Sequence, residues 1–72
     1  MIQHLSALEL GAVAARGGSL EVNGQQFSDL ELGGIAARLL PGAHLTIHNS
    51  ARFNALDMGG IAARKPGQVI FT

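Results

Sequence analysis

Cysteine, tryptophan and tyrosine are all absent from the 72-residue chain. Without thiols there is no disulfide framework, thiolate nucleophile, cysteine-ligated zinc or iron–sulfur centre, and the composition suits a reducing compartment. The aromatic residues are Phe27, Phe53 and Phe71 alone, which leaves no stacking platform for exposed bases. An excess of charge of one sign is also missing. Five Lys and Arg balance five Asp and Glu, so no net field attracts phosphate backbones or anionic lipid. No apolar run approaches the roughly 20 residues of a membrane span. The Met1 to His4 start lacks the basic stretch and apolar core of a signal peptide. These absences predict a cytoplasmic chain with no membrane partner.

The length has its own consequence. Seventy-two residues is about half a typical domain, enough for one hydrophobic core and therefore a single domain spanning 1–72. Chains below about 80 residues usually add a disulfide, a metal or a partner subunit, because buried apolar area barely outweighs lost conformational entropy. With disulfides excluded, a partner subunit becomes the expected support.

What the chain does contain is one decapeptide in three versions: Ala7 to Arg16 (ALELGAVAAR), Asp29 to Arg38 (DLELGGIAAR) and Ala55 to Arg64 (ALDMGGIAAR). The offsets of 22 and 26 residues fall where self-similarity signals stacked supersecondary units. Each copy opens with a helix-start signal. Ser6, Ser28 and Asn54 stand at the N-cap, where a side-chain oxygen accepts from an unpaired N–H of the first turn. Glu9, Glu31 and Asp57 follow three residues later; the two Ser–Glu pairs complete a capping box and Asn54–Asp57 is a looser version. Leu5, Phe27 and Phe53 before the caps, with Leu10, Leu32 and Met58 after them, have the spacing of a hydrophobic staple.

The helices are expected to end soon after Arg16, Arg38 and Arg64, where a cation suits the negative end of the helix dipole. Gly17-Gly18, Pro41-Gly42 and Pro66-Gly67 then break the pattern. Short β-prone segments follow at Leu20-Glu21-Val22, Leu45-Thr46-Ile47 and Val69-Ile70-Phe71. Strands that each return through a helix are parallel with right-handed crossovers. The predicted fold is α/β, a short right-handed αβ solenoid of three helix-strand units (about 5–24, 27–49 and 53–72). It has a three-stranded parallel sheet with helices on one face. Alternation then puts Leu20, Val22, Leu45, Ile47, Val69 and Phe71 under the helices. Glu21, His44, Thr46, His48 and Ile70 point the other way, onto a face that parallel sheets normally cover. Together with the unpaired outer strand edges, those five residues are the candidate interface.

Gly11, Gly33-Gly34 and Gly59-Gly60 lie mid-helix, where each costs roughly 1 kcal/mol against alanine. Close approach of neighbouring helices is the expected reason. Whether Met1 to His4 forms an additional strand is left open by the pattern.

The segment His44 to Phe71, with LTIHN, a capped helix ending IAARKPG and a closing VIF, resembles a unit of small uncharacterised bacterial αβ-repeat proteins. In those a strand, a capped helix with an I-A pair and a glycine-bounded strand occur once or more. The layout is similar in principle to leucine-rich repeats, whose leucine spacing is missing here. The resemblance implies a fold and no activity.

Residues with chemical potential have simpler explanations. His44 and His48, four apart on an extended strand, have Cα atoms roughly 13 Å apart, too far to share one metal within a chain. A shared site across a dimer, with His4 as an outside candidate, is the remaining metal reading. The acids are caps, and the arginines are helix-end charges or a ligand-binding rim with Arg52 and Lys65 nearby. The double glycines sit inside helices, whereas a phosphate loop places them between strand and helix. Ser6, Ser28 and Ser50 have no His and acid at a triad spacing. The sequence therefore predicts no enzyme, cofactor or metal. It predicts a non-catalytic protein–protein interaction module that self-associates as a dimer or larger assembly, with another protein as a further possible partner. The alternative is a small nucleic-acid-binding or regulatory protein using an edge of Arg16, Arg38, Arg52, Arg64 and Lys65.

Overall fold

A computed structural model describes residues 3–72. Three helices alternate with three strands: α1 Ala7–Ala15, β1 Leu20–Asn23, α2 Asp29–Ala36, β2 Leu45–His48, α3 Ala55–Ala62 and β3 Val69–Phe71. Short 3-10 turns at Gly24–Gln26 and Ser50–Arg52 lead from β1 and β2 into the next helix. The strands form one parallel sheet in the order β1-β2-β3. Met1 and Ile2 lie outside the described residues; Gln3 and His4 belong to no strand.

Each helix starts where its cap chemistry places it. The Ser6 N–H donates to Glu9 Oε1 at 2.9 Å while the Glu9 N–H donates to Ser6 Oγ at 3.2 Å. Ser28 and Glu31 repeat this reciprocal pair. At α3 the Asp57 N–H donates to Asn54 Oδ1 at 2.8 Å, without the return bond. The helices stop before their arginines. Arg16 is the C-cap of α1, and Arg38 and Arg64 lie beyond the last turns of α2 and α3. Gly17 then turns the chain with φ 100° and Gly42 with φ 87°, left-handed conformations that glycine adopts without a Cβ penalty.

Register follows the hydrophobic alternation. Leu20 pairs with Leu45 and Leu45 with Val69; Val22 pairs with Ile47 and Ile47 with Phe71. Leu20, Val22, Leu45 and Ile47 are buried in one core with Leu10, Ala14, Leu32, Ile35, Ala36 and Ile61 of the helices. Val69 and Phe71 pack against that core but stay partly exposed. Phe27 and Phe53, ahead of α2 and α3, are buried in it as well. A side chain lost from this continuous core removes transfer free energy and leaves a cavity.

Candidate functional site

Two surfaces carry more than the fold requires. The first is the sheet face away from the core. Glu21, Thr46 and Ile70 stand in register across the three strands. His44 is exposed immediately before β2 rather than within it, and His48 closes β2. All five candidate residues therefore reach one side of the sheet, since burial alternates along β1 and β2 as a one-sided core demands.

His48 ties this face together. Its Nε2 lies 2.9 Å from Glu21 Oε1 and its Nδ1 lies 2.8 Å from Thr72 Oγ1. A carboxylate only accepts, so Nε2 carries the hydrogen and, with a neutral ring, the Thr72 hydroxyl donates to Nδ1. The His48 hydrogen bond is the main cause that holds the Glu21 carboxyl below its ordinary pKa, with the imidazole's charge second.

A hydroxyl, an imidazole and a carboxylate in sequence have the order of a hydrolytic triad, an arrangement recognised by geometry rather than chain position. Two further requirements fail here. The Glu21 side chain is 65% exposed, so its bond to the imidazole competes with water and is not shielded as the buried acid of a triad is. The Thr72 N–H is already donated to the Ile47 carbonyl and offers nothing to an oxyanion. The row is a polar tie from β1 through β2 to Thr72, just past β3, that lets the face meet water. Ile70, 45% exposed, is its one large apolar member.

The second surface is on the helices. Leu8, Leu30 and Leu56 occupy the second position of each helix and are 76%, 74% and 83% exposed. Between them run two open grooves. One, of about 250 Å³, is lined by Leu8, Gly11, Gly34, Ile35 and Arg38; the other, of about 390 Å³, by Leu30, Gly33, Leu56, Gly60 and Arg64. The cap and staple pattern does not say where these leucines face. The identical position in all three decapeptides is the signal that marks them.

The arginines explain part of the glycine pattern. A Cβ placed on Gly11 would stand 3.2 Å from Arg38 Cδ, and one on Gly33 would stand 3.6 Å from Arg64 Cζ. The close approach expected at these glycines is thus made by an arginine side chain of the next helical segment and not by a helix backbone. A Cβ on Gly34, Gly59 or Gly60 has no neighbour within 4 Å among the described residues. Arg52 donates from Nε to the Gly24 carbonyl at 3.1 Å and from Nη2 to the Phe27 carbonyl. Its guanidinium also lies 4.4 Å from the centre of the Phe53 ring, a cation–π distance.

Among the described residues no three His, Asp or Glu side chains come together as a metal site, and no helix is long and apolar enough to cross a membrane. No family model, curated protein or solved structure matches the chain.

Proposed function

We propose that this protein is a non-catalytic protein–protein interaction module that associates with copies of itself. Its architecture is read as a short right-handed αβ solenoid of three stacked units with helices on one face. The observation that carries the reading is the uncovered apolar side of the third unit. Leu10 and Leu32 are fully buried, whereas Met58 at the matching position of α3 is half-exposed. Leu20, Val22, Leu45 and Ile47 are buried, whereas Val69 and Phe71 are half-exposed. Apolar surface of this kind gains free energy when another chain covers it, at about 25 cal/mol per Å². The outer edge of β3, unpaired among the described residues, adds hydrogen-bonding groups to the same region.

The nucleic-acid alternative draws less support. Arg38, Arg52 and Arg64 lie against the chain's own glycines and carbonyls, which leaves fewer cations to neutralise phosphates.

The test is the solution mass by light scattering over a wide concentration range. Assembly beyond the 7.5 kDa chain is the expected result. A monomer at every concentration sinks the proposal.

A further inference from the structure

The contact between successive helical segments is built the same way twice. Arg38 lies over Gly11, with Ile35 lining the same groove at 2% exposure. Arg64 lies over Gly33, with Ile61 likewise at 2%. Each time the earlier helix supplies a glycine and the later segment supplies an arginine and a β-branched residue three positions before it. At Gly11 the end of the arginine stem, Cδ, lies over helix backbone that glycine leaves bare; at Gly33 the guanidinium itself does, and Arg64 Nη1 reaches toward the Gly33 carbonyl at 3.5 Å.

Both halves of a third such contact are exposed on the same chain. Gly59 matches Gly11 and Gly33 in the decapeptide, yet those two are buried while Gly59 is exposed, with none of the described residues within 4 Å of a Cβ there. Val13 and Arg16 match the Ile35–Arg38 and Ile61–Arg64 pairs. Val13 is 38% exposed where the two isoleucines are buried, and Arg16 is exposed. The sheet shows the same polarity. Among the described residues β1 and β3 each pair only with β2, and carrying the observed register one step on sets Val69 beside Leu20, Ile70 beside Glu21 and Phe71 beside Val22 of another copy.

We propose that copies of this chain stack end to end, with α1 and β1 of one copy against α3 and β3 of the preceding copy and Arg16 laid over Gly59. The inference rests on the self-association proposed above and gives it a geometry. A second copy is the occupant because the chain carries both complementary halves: the arginine with its β-branched neighbour, and the open glycine seat beside half-covered Met58, Val69 and Phe71. Such a contact is heterologous, so it propagates into an open series or closes as a ring instead of stopping at an isologous dimer.

Two variants block opposite ends. Gly59→Leu fills the seat at an exposed position where an added Cβ has no neighbour within 4 Å among the described residues, so the fold is expected to be kept and helix propensity to improve. Val13→Glu with Arg16→Glu alters two exposed residues at the other end. Circular dichroism and melting establish that both variants fold. Sedimentation velocity then reads assembly: each variant alone is expected to associate about tenfold or more weakly than the wild type. An equimolar mixture is expected to form a one-to-one dimer of twice the 7.5 kDa chain mass, since one intact pair of ends remains. A wild type that is monomeric throughout overturns self-association and this geometry with it. A wild type that assembles while both variants assemble equally well overturns only the geometry. Two monomeric variants that fail to combine also overturn it, as does assembly lost in a Leu8→Gln, Leu30→Gln, Leu56→Gln variant and kept in the end variants.

Discussion

Arg38 lies across Gly11 so closely that a Cβ on the glycine would stand 3.2 Å from the arginine's Cδ, whereas at Gly34 and Gly60 none of the described residues comes within 4 Å of an added Cβ. Glycines of similar helical setting therefore split into two classes. Gly34→Ala and Gly60→Ala are expected to stabilise the fold by about 0.5–1 kcal/mol each, the helix-propensity difference. Gly11→Leu is expected to destabilise it, because the arginine must leave the groove. Urea denaturation of the three variants checks the split; a uniform gain at all three sites would show that the arginine contact contributes nothing.

Gly24 is tighter still. A Cβ there would meet the His48 carbonyl oxygen and Ile47 Cγ2, each at 2.9 Å, and Phe53 Cε2 at 3.3 Å. One obstacle is backbone and the others belong to the core, so no flexible side chain can step aside. Gly24→Ala is expected to lower stability by about 1–3 kcal/mol, the range for overpacking. A midpoint unchanged in denaturant would mean that the 3-10 turn shifts without resistance.

The local chemistry of the fold was legible in the sequence, and its long-range chemistry was not. Ser6 with Glu9 and Ser28 with Glu31 announce their helices because both partners of each bond lie within one turn. The parity of Leu20-Glu21-Val22 announces its buried face because a strand alternates with period two. Helix-end position alone explains a cation at Arg38 and Arg64, yet their side chains reach Gly11 and Gly33 of the preceding helix, and Arg52 reaches the carbonyls of Gly24 and Phe27, each 25 or more residues away. The same distance hid the tie from Glu21 through His48 to Thr72. It also hid Gln68, whose Nε2 donates to the carbonyls of Leu40 and Ala43. Periodicity specifies which face a residue occupies; which side chain arrives opposite depends on register between segments.

The caps themselves give a graded test. Ser28→Ala removes the acceptor for the Glu31 N–H and is expected to cost about 1 kcal/mol. Glu31→Gln keeps an acceptor for the Ser28 N–H and is expected to cost less. Thermal melts of the two variants at pH 7 measure the order, and the reverse order would shift the weight of the capping box to the carboxylate.

Acid should weaken the fold through two carboxylates. Glu9 is held below its ordinary pKa of 4.5, first by the Ser6 backbone N–H and then by the Ser6 hydroxyl. Glu21 is held below 4.5 chiefly by its hydrogen bond to His48. A group whose pKa is depressed on folding stabilises the native state above the unfolded pKa and loses that contribution as pH falls through the folded one. Stability is therefore expected to drop on acidification below about pH 4.5, by an amount that shrinks in a Glu9→Gln, Glu21→Gln variant. Both carboxylates are solvent-exposed, so the difference is small, and parallel urea titrations at pH 6 and pH 3 resolve it. An identical drop in the variant would show that these two carboxylates contribute nothing to the acid sensitivity.

The leucine row separates folding from surface function. Leu8, Leu30 and Leu56 remain 74–83% exposed, so they hold little of the area whose burial stabilises a core. Replacing all three by Gln is expected to leave the denaturation midpoint within about 0.5 kcal/mol of the wild type per site, the range of ordinary surface changes. Glutamine keeps comparable helix propensity, so the experiment isolates the apolar contacts. A loss above about 2 kcal/mol for the triple variant would mean that the leucines close over the grooves at Gly34 and Gly60 in solution. In that case they would count as core. An unchanged fold, by contrast, leaves three leucines at matching helix positions with no folding task, available to whatever the helical surface meets.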